Sequence, residues 1–284
     1  MPARDNPTAR QARLGAELRK LREAAGKTAR EAAGLLSTDQ AKISHMEAGR
    51  IGVSEERIRR LATYYSCDDA ALIDALCAIT HEHRGQFWWD EYRGVLAPGS
   101  LDVAELEHHA TSLRTMQSVT MPGILQTEGY ARAIYSGHVP ALPPAEVDVR
   151  VEHRMRRRAV LERDAPPPLE AVIHEAALRM RFGGREVAKA QLAYLLDVSE
   201  WPNTTVRVLP FTCEDFIEAT QPVLYAGGPV AQLDTVRIDN ALGGHFLGIN
   251  VELKKFRTLL DKAANASLDA DESRQLIHHI AREL

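Results

Sequence analysis

The stretch LGAELRKLREAAGKTAREAAGLLSTDQAKISHMEAGR, residues 14–50, decides the fold of the N-terminal part of this chain. Near its end, Asp39 reads as the N-cap of a short helix over residues 38–47. Ile43 and Met46 form its apolar stripe, and Gln40, Ala41, Ser44 and His45 lie on the other side. One turn back, Thr28 caps a second helix and Glu31 stands at its third position, the pairing of a capping box. Ala29, Ala32, Ala33 and Leu36 give that helix small inward residues. A first helix, from about Thr8 to Ala25, turns Leu14, Leu18 and Leu21 inward and stops at Gly26, a residue suited to a left-handed C-terminal turn.

Two helices therefore brace a third, the spacing of a helix-turn-helix, in which a reading helix offers polar side chains to the major groove while its apolar side locks onto the preceding helix. Charge agrees with a nucleic-acid partner. Up to Ser66 there are thirteen Lys and Arg against eight Asp and Glu, a balance of +5, and the rest of the chain carries −9, making the −4 of the whole. A basic head on an acidic body turns the head toward DNA, whereas the overall −4 argues against indiscriminate coating of nucleic acid. The competing readings are a helical bundle with a merely solvated polar face, or a helix-turn-helix kept for protein contacts.

From about Ala9 to Ser66, and most sharply at KIS.MEAGR, the segment resembles the Cro/CI-type helix-turn-helix of the XRE family. The resemblance implies that Gln40 and Ala41 meet base edges; glutamine can pair two ways with adenine and alanine can touch a thymine methyl. Ser44 and His45 follow on the same face. Thr28, Arg30 and Asp39 fall in the same DNA-binding set, and Lys42, Arg50 and the Lys27 region suit phosphates. The resemblance also pairs Arg22 with Glu47 as an ion pair tying the first helix to the third. One departure is Ala29, which stands where many relatives carry Gln; Arg30 is the candidate replacement for the lost polar contact.

At 284 residues with 45% hydrophobic side chains, the chain is several times longer than such a module needs, so a further domain with its own core is expected. Three cysteines, Cys67, Cys77 and Cys213, have no close metal spacing and read as reduced thiols. No apolar run approaches a membrane span and no hydrophobic stretch follows the charged N-terminus, so a cytoplasmic protein is expected, with no membrane partner. Ser54–Tyr64 reads as a fourth helix with Ile58 and Leu61 on one side. Asp68–Thr80 follows as a fifth, with Leu72, Ile73, Leu76 and Ile79 inward, and His81–Gly85 as a polar hinge. The expected division is a DNA-binding domain over 8–66, a linker helix over 67–83 and a C-terminal domain over 84–284.

Leu101–Gln117 is helical in pattern, and TMPGILQTEGYARAIYSG, residues 120–137, is punctuated by Pro122 and Gly123 before a helix resumes over Thr127–Ser136. Glu146–Arg163 reads as a charged helix, Pro166–Pro168 as a stiff spacer and Leu169–His174 as a strand. Val187–Glu200 is helical, Thr205–Leu209 and Pro222–Tyr225 read as strands, Val230–Ile238 adds one or two more, and Val251–Ala264 and Asp271–Leu284 close as helices. The fold class is α+β: an all-α helix-turn-helix domain, then a mixed α/β domain with a small sheet of about four or five strands. Residues 120–137 resemble the VPGLLQT..YARA element of a C-terminal domain of unknown function that accompanies XRE-type modules in actinomycete regulators. The resemblance continues through VEHRMRRRAVLER (151–163), IHEAALRMRFGG (173–184), QLAYLLDVSEWPNTTVRVLPF (191–211) and ADESRQLIHHIA (270–281).

Several constellations in this half invite chemistry. Arg154, Arg156, Arg157 and Arg158 suit a phosphate-bearing ligand or extra DNA contacts, although such a run is more often a solvated helix face offset by neighbours such as Glu152 and Glu162. FGGR, residues 182–185, suits an anion but lacks P-loop spacing, and a plain helix-to-helix turn is the commoner meaning. His81, His83, His108, His109, His278 and His279 come with no HExxH or paired Cys element, and adjacent histidines on a helix point different ways, so no metal is expected. Glu175 and Arg179 read as a structural ion pair. Cys213 beside Glu214 and Asp215 is poorly placed for a nucleophilic thiolate. Phe87, Trp88, Trp89 and Tyr92, with Met121–Gln126, either line an effector pocket, with Trp88, Trp89, Tyr92 and Gln126 as ligand contacts, or form domain core.

No catalytic apparatus is visible, so no enzyme and no cofactor are expected. The expected protein is a sequence-specific DNA-binding transcription regulator whose C-terminal domain senses a small-molecule effector or a protein partner. A homodimer on a double-stranded operator follows because one short helix reads too few bases. The second resemblance also implies a role like that of antitoxin-type regulators, which neutralise a small partner protein and autoregulate.

Overall fold

The computed structural model describes residues 7–81, 87–214, 221–240, 243–248 and 250–284. Its contacts divide into two units: residues up to Leu106 together with Gly228–Asp234, and Glu107–Gly227 together with Thr235–Leu284.

The first unit holds helices α1 (Ala9–Ala24), α2 (Ala29–Leu35), α3 (Gln40–Glu47), α4 (Glu55–Tyr64) and α5 (Ala70–Thr80). Each begins at a side chain that accepts an otherwise orphaned backbone N–H: Thr8, Thr28, Asp39, Ser54 and Asp69. Gly26 takes the left-handed conformation, φ 66°, that ends α1. The apolar stripes of the five helices meet in one core that includes Leu14, Leu18, Leu36, Ile43, Met46, Ile58, Leu61 and Leu76. Leu72, Ala75, Leu76, Cys77 and Ile79 of α5 lie within that same core, so α5 is a fifth wall of the bundle. Of the expected hinge His81–Gly85, all but His81 lies outside the described residues.

A short 3-10 turn, Trp88–Tyr92, and the start of α6 (Pro98–His109) also belong to this unit, as does a segment far away in sequence. Residues 228–234 lay Leu233 into the helical core. Gln232 Nε2 donates to Asp69 Oδ2 at 2.9 Å, and the Arg13 guanidinium donates to the Gln232 carbonyl. The unit boundary thus falls within α6 rather than at residue 84, and the aromatic segment sits with the helices.

The second unit is built on a six-stranded sheet of β1 (Ser112–Gln117), β2 (Leu169–His174), β3 (Thr204–Leu209), β4 (Val223–Gly227), β5 (Thr235–Asn240) and β6 (Gly243–Leu247), in the order β3-β2-β1-β4-β5-β6. β1, β2 and β3 run parallel, with Leu113 opposite Leu169 and Leu169 opposite Thr204; β4, β5 and β6 continue antiparallel. The helices are α7 (Glu128–Ser136), α8 (Pro144–Arg157), α9 (Ala159–Glu162), α10 (Glu175–Arg179), α11 (Arg185–Ser199), α12 (Asn250–Ala266) and α13 (Ala270–Glu283). Parallel strands need crossovers, and the helices between β1, β2 and β3 supply them. Met116, Val172, Leu209, Val223, Tyr225 and Val236 of the sheet pack against Leu253, Leu260 and Ala263 of α12. The β3 edge is paired at Val208, whose N–H donates to Ser273 Oγ at 2.9 Å and whose carbonyl accepts from Leu268 N–H at 2.9 Å.

Two expectations change. Leu101–Gln117 is not one helix, for α6 ends at His109 and Ser112–Gln117 is β1, flanked by β2 and β4. Leu113 and Met116 stand three apart, as on a helix, and the buried Thr115 is polar, so the string lacks the apolar alternation of a strand although Leu113, Thr115 and Met116 are all buried. The sheet also has six strands rather than four or five, because the Gly-led segment 243–247 pairs with β5 as an edge.

Candidate nucleic-acid interface

The third helix is short enough to need bracing. Asp39 Oδ1 accepts from Lys42 N–H at 2.8 Å, which holds the Asp39 carboxyl below the usual range and fixes the first turn. Ile43 and Met46 are each 2% exposed and anchor the helix inward. Gln40, Ala41, Lys42 and Ser44 are exposed on the outer side and His45 is half-buried. Ser44 Oγ donates back to the Gln40 carbonyl at 3.1 Å, so its hydroxyl proton is engaged while its lone pairs face outward. A polar, rigidly held face 40–41–44–45 results, with Lys42 Nζ 3.5 Å from Asp39 Oδ2 at its rim.

The brace against α1 is ionic and steric. Arg22 Nε and Nη2 donate to the two oxygens of Glu47 at 2.6 and 3.0 Å, and Arg22 Nη1 donates to the Lys27 carbonyl at 2.8 Å. One guanidinium thereby fastens α1, the α1–α2 turn and the end of α3, and the Glu47 hydrogen bond raises the Arg22 pKa. The expected Arg22–Glu47 pair is present. Burial beside it pushes the Tyr65 hydroxyl up to about 12. A Cβ on Gly15 would stand 2.5 Å from the Glu47 carbonyl oxygen, and one on Gly49 2.7 Å from that of Gln11, so the backbones of α1 and the end of α3 touch. A lone glycine inside a helical pattern is the sequence signal for such an approach; the readings of residues 14–50 passed over it.

Thr28 and Glu31 form the capping box: Thr28 N–H and Oγ1 both donate to Glu31 Oε2 at 2.7 Å, which lowers the Glu31 pKa. The Thr28 hydroxyl is therefore engaged in the cap. Arg30 and Arg50 are exposed. Lys27 Nζ stands 4.9 Å from the centre of the Tyr64 ring. Arg60 ties α4 to α2 by donating to the Leu35 carbonyl at 2.9 Å.

The four candidate ligand residues are divided between the two units. Trp89 and Tyr92 are 2% and 6% exposed in the first unit, where Phe87 stacks on Trp89 at 4.5 Å and Trp88 meets Trp89 and Tyr92 edge-on at 5.7 and 6.1 Å. Gln126 belongs to the second unit and is engaged there. Its Nε2 donates to the Met121 carbonyl at 2.9 Å, its Oε1 accepts from Arg154 Nη1 at 2.6 Å and its carbonyl accepts from Arg158 Nη2 at 2.8 Å.

The arginine run is correspondingly not a solvated face. Arg157 makes a two-pronged bond to the buried Glu107 at 2.5 and 2.7 Å, Arg154 Nη2 donates to Tyr135 OH at 2.5 Å, and the Arg158 guanidinium lies 4.3 Å from the centre of the Tyr194 ring. Burial lowers the Arg154 pKa. These partners stand 19 to 50 residues from the run, beyond the reach of a reading that looked to Glu152 and Glu162. FGGR is a tight turn with Gly183 and Gly184 at φ 79° and 93°. Glu175 and Arg179 pair at 2.8 Å, and Arg179 also meets Glu283 at 2.8 Å. His108 and His109 stack edge-on at 4.8 Å, His83 and Asp215 lie outside the described residues, and among those described no group of three His, Cys, Asp or Glu could hold a metal ion. No described helix is long and apolar enough to cross a membrane.

Two family models match the chain. One, a helix-turn-helix domain, covers residues 13–76, and the other, a domain of unknown function (DUF5753), covers residues 101–279. No curated protein and no solved structure matches.

Proposed function

We propose, from the premise that the chain belongs to the family defined by the domain of unknown function (DUF5753), here behind a helix-turn-helix domain, that it is a cytoplasmic, homodimeric transcription regulator of sequence-specific operators. The helix-turn-helix domain marks it as a DNA-binding regulator. The single observation that carries the finer reading is the exposed face Gln40, Ala41 and Ser44, held rigid by the Arg22–Glu47 clamp at 2.6 Å. Gln40 and Ala41 read base edges, Ser44 and His45 extend that reading, and Arg30, Lys42 and Arg50 set the phosphates. Two copies are needed to read a site long enough for genomic specificity. On this reading the chain is not an enzyme; among the described residues, the ion pairs Arg22–Glu47 and Arg157–Glu107 hold helices in place.

A ligand or protein partner changes DNA affinity. An antitoxin-like role, in which a small protein partner is neutralised and DNA binding serves autoregulation, is favoured by Phe211 and Met180. Both are apolar and 58% and 42% exposed, and they flank α10 in the second unit.

Selection of bound fragments from random duplex DNA by the full-length protein tests the reading. The expected product is a near-palindrome with half-sites about 10 base pairs apart, bound with an affinity that falls steeply with salt. Equal retention of all sequences would refute it.

A further inference from the structure

The arginine run carries more positive charge than its partners answer. Arg154 and Arg158 stand four apart across the end of α8, where Arg158 is the C-cap, and so share one face. Both reach the same residue: Arg154 Nη1 donates to Gln126 Oε1 at 2.6 Å and Arg158 Nη2 to the Gln126 carbonyl at 2.8 Å. Arg157 joins them beside the loop that carries Gln126, for a Cβ on Gly123 would stand 3.0 Å from Arg154 Nη1 and 3.3 Å from Arg157 Nη2. Arg157 has its carboxylate, Glu107. Among the described residues, neither Arg154 nor Arg158 is in ion-pair contact with one. Their further partners are neutral: Tyr135 for Arg154, and Met155 Sδ at 3.8 Å and the Tyr194 ring for Arg158. Nε of Arg154, Nε of Arg158 and the Tyr194 hydroxyl are buried and make no hydrogen bond among the described residues.

Like charges four apart on a helix repel, and a half-buried guanidinium without a counter-ion is costly. The surplus acts on its neighbours. Burial, helped by Arg157, Arg154 and Arg156, pushes the His153 pKa down to about 3. Glu162 and Asp197 act on the Tyr194 hydroxyl, but both are exposed, where water and salt screen them. Tyr194 is brought to the cluster by α11: Gln191, three residues earlier, donates to the Leu125 carbonyl and accepts from Thr127 N–H, both at 2.8 Å, on either side of Gln126.

We propose that Arg154, Arg158 and Tyr194 form a binding site for a small phosphate-bearing molecule, whose phosphoryl oxygens accept from the donors that these three side chains leave unused. Three guanidiniums against the single carboxylate of Glu107 leave two positive charges, and a phosphate monoester carries about −1.5 to −2 at neutral pH, whereas a carboxylate carries one. Guanidinium N–H groups suit phosphate oxygens in geometry as well as in charge. The residues named all belong to the second unit, so the site is assigned independently of the helix-turn-helix. That the phosphate compound is the ligand that changes DNA affinity rests on the function proposed above, and by linkage each would then alter the binding of the other by the same factor.

Calorimetric titration of the full-length protein with inorganic phosphate, and with acetate at the same ionic strength, tests the site without reference to DNA. Saturable phosphate binding is expected, weakened about tenfold or more in Arg158→Gln and in Tyr194→Phe and unchanged in Arg50→Ala, which removes a cation of the helix-turn-helix. Tyr194→Phe keeps the test decisive should Arg158→Gln fail to fold, since it removes only a hydroxyl that makes no hydrogen bond among the described residues. Equal binding by Tyr194→Phe and the parent, or acetate bound as tightly as phosphate, overturns the site. At constant ionic strength, a phosphate concentration that saturates only the parent should change its affinity for the selected duplex by about threefold or more and leave that of Tyr194→Phe unchanged. An unchanged parent overturns the effector role. A duplex selection that fails counts against the DNA reading, and the phosphate titration then decides the site by itself.

Discussion

Gly15→Ala separates local preference from tertiary packing, because the two predict opposite signs. Within α1, replacing an interior glycine with alanine favours the helix by about 1 kcal/mol. The structure opposes that gain. The new methyl would stand 2.5 Å from the Glu47 carbonyl oxygen, 2.6 Å from that of Met46 and 2.8 Å from the Glu47 carbonyl carbon, all backbone atoms that no rotamer change can move. Carbon and carbonyl oxygen come to rest near 3.3 Å, so α1 and α3 must part by roughly 0.8 Å. Overpacking of this kind costs about 1–3 kcal/mol, and the same displacement stretches the 2.6 Å Arg22–Glu47 bond. A net loss of up to about 2 kcal/mol remains after the propensity gain. The control is Gly34→Ala in α2, where a Cβ meets nothing within 4 Å and the protein should gain about 0.5–1 kcal/mol. Urea denaturation of the two variants, with hydrogen exchange of α1 and α3 amides to localise the change, is the assay. A Gly15→Ala protein stabilised as much as the Gly34→Ala control refutes the close approach of the two helices.

Gln40→Ala should alter preference at one base position by about 1–3 kcal/mol, while Arg50→Ala should weaken all duplexes alike and lower the salt slope by about one; affinity measured on matched and single-mismatch duplexes at several salt concentrations distinguishes them. Leu233→Ala should cost about 2–5 kcal/mol in the first unit even though residue 233 lies far from the helices in sequence, which hydrogen exchange in α1 and α5 would register; protection unchanged there would contradict its place in that core. Burial, reinforced by Arg157, lowers the His153 pKa from 6.5 to about 3. The unfolded chain therefore takes up a proton that the folded one resists, so stability is intact above pH 6.5 and declines as pH falls from there toward about 3. Urea midpoints at pH 7 and 4.5 should diverge less for His153→Gln than for the parent protein, and an equal divergence would exclude this source.

The first three helices were legible because their determinants are local. Thr28 with Glu31, Asp39, and the spacing of Leu14, Leu18, Ile43 and Met46 each act within one or two turns, so a linear string carries them without help from the rest of the chain. The Arg22–Glu47 pair, though 25 residues apart, came from the family resemblance rather than from spacing. In the C-terminal half, β2 and β3 were visible as β-branched runs bounded by Pro and Asn, whereas β1 was mistaken for helix and β6 passed unseen. In β1 the buried face includes the polar Thr115 while Leu113 and Met116 stand three apart, a helical spacing, and a Gly-rich edge has little apolar content.

The amino-acid order by itself determined a capped, three-helix head with Gln40, Ala41 and Ser44 turned outward, since caps and stripes are short-range effects. Tertiary structure alone decided that Gln126 and Arg154 hold each other in the interior, that Leu233 joins the helical bundle, and that Asp102, Glu105, Trp89 and Thr8 share a cavity. Each of those outcomes depends on which surfaces lose water together, a property of partners tens to hundreds of residues apart that no local pattern encodes.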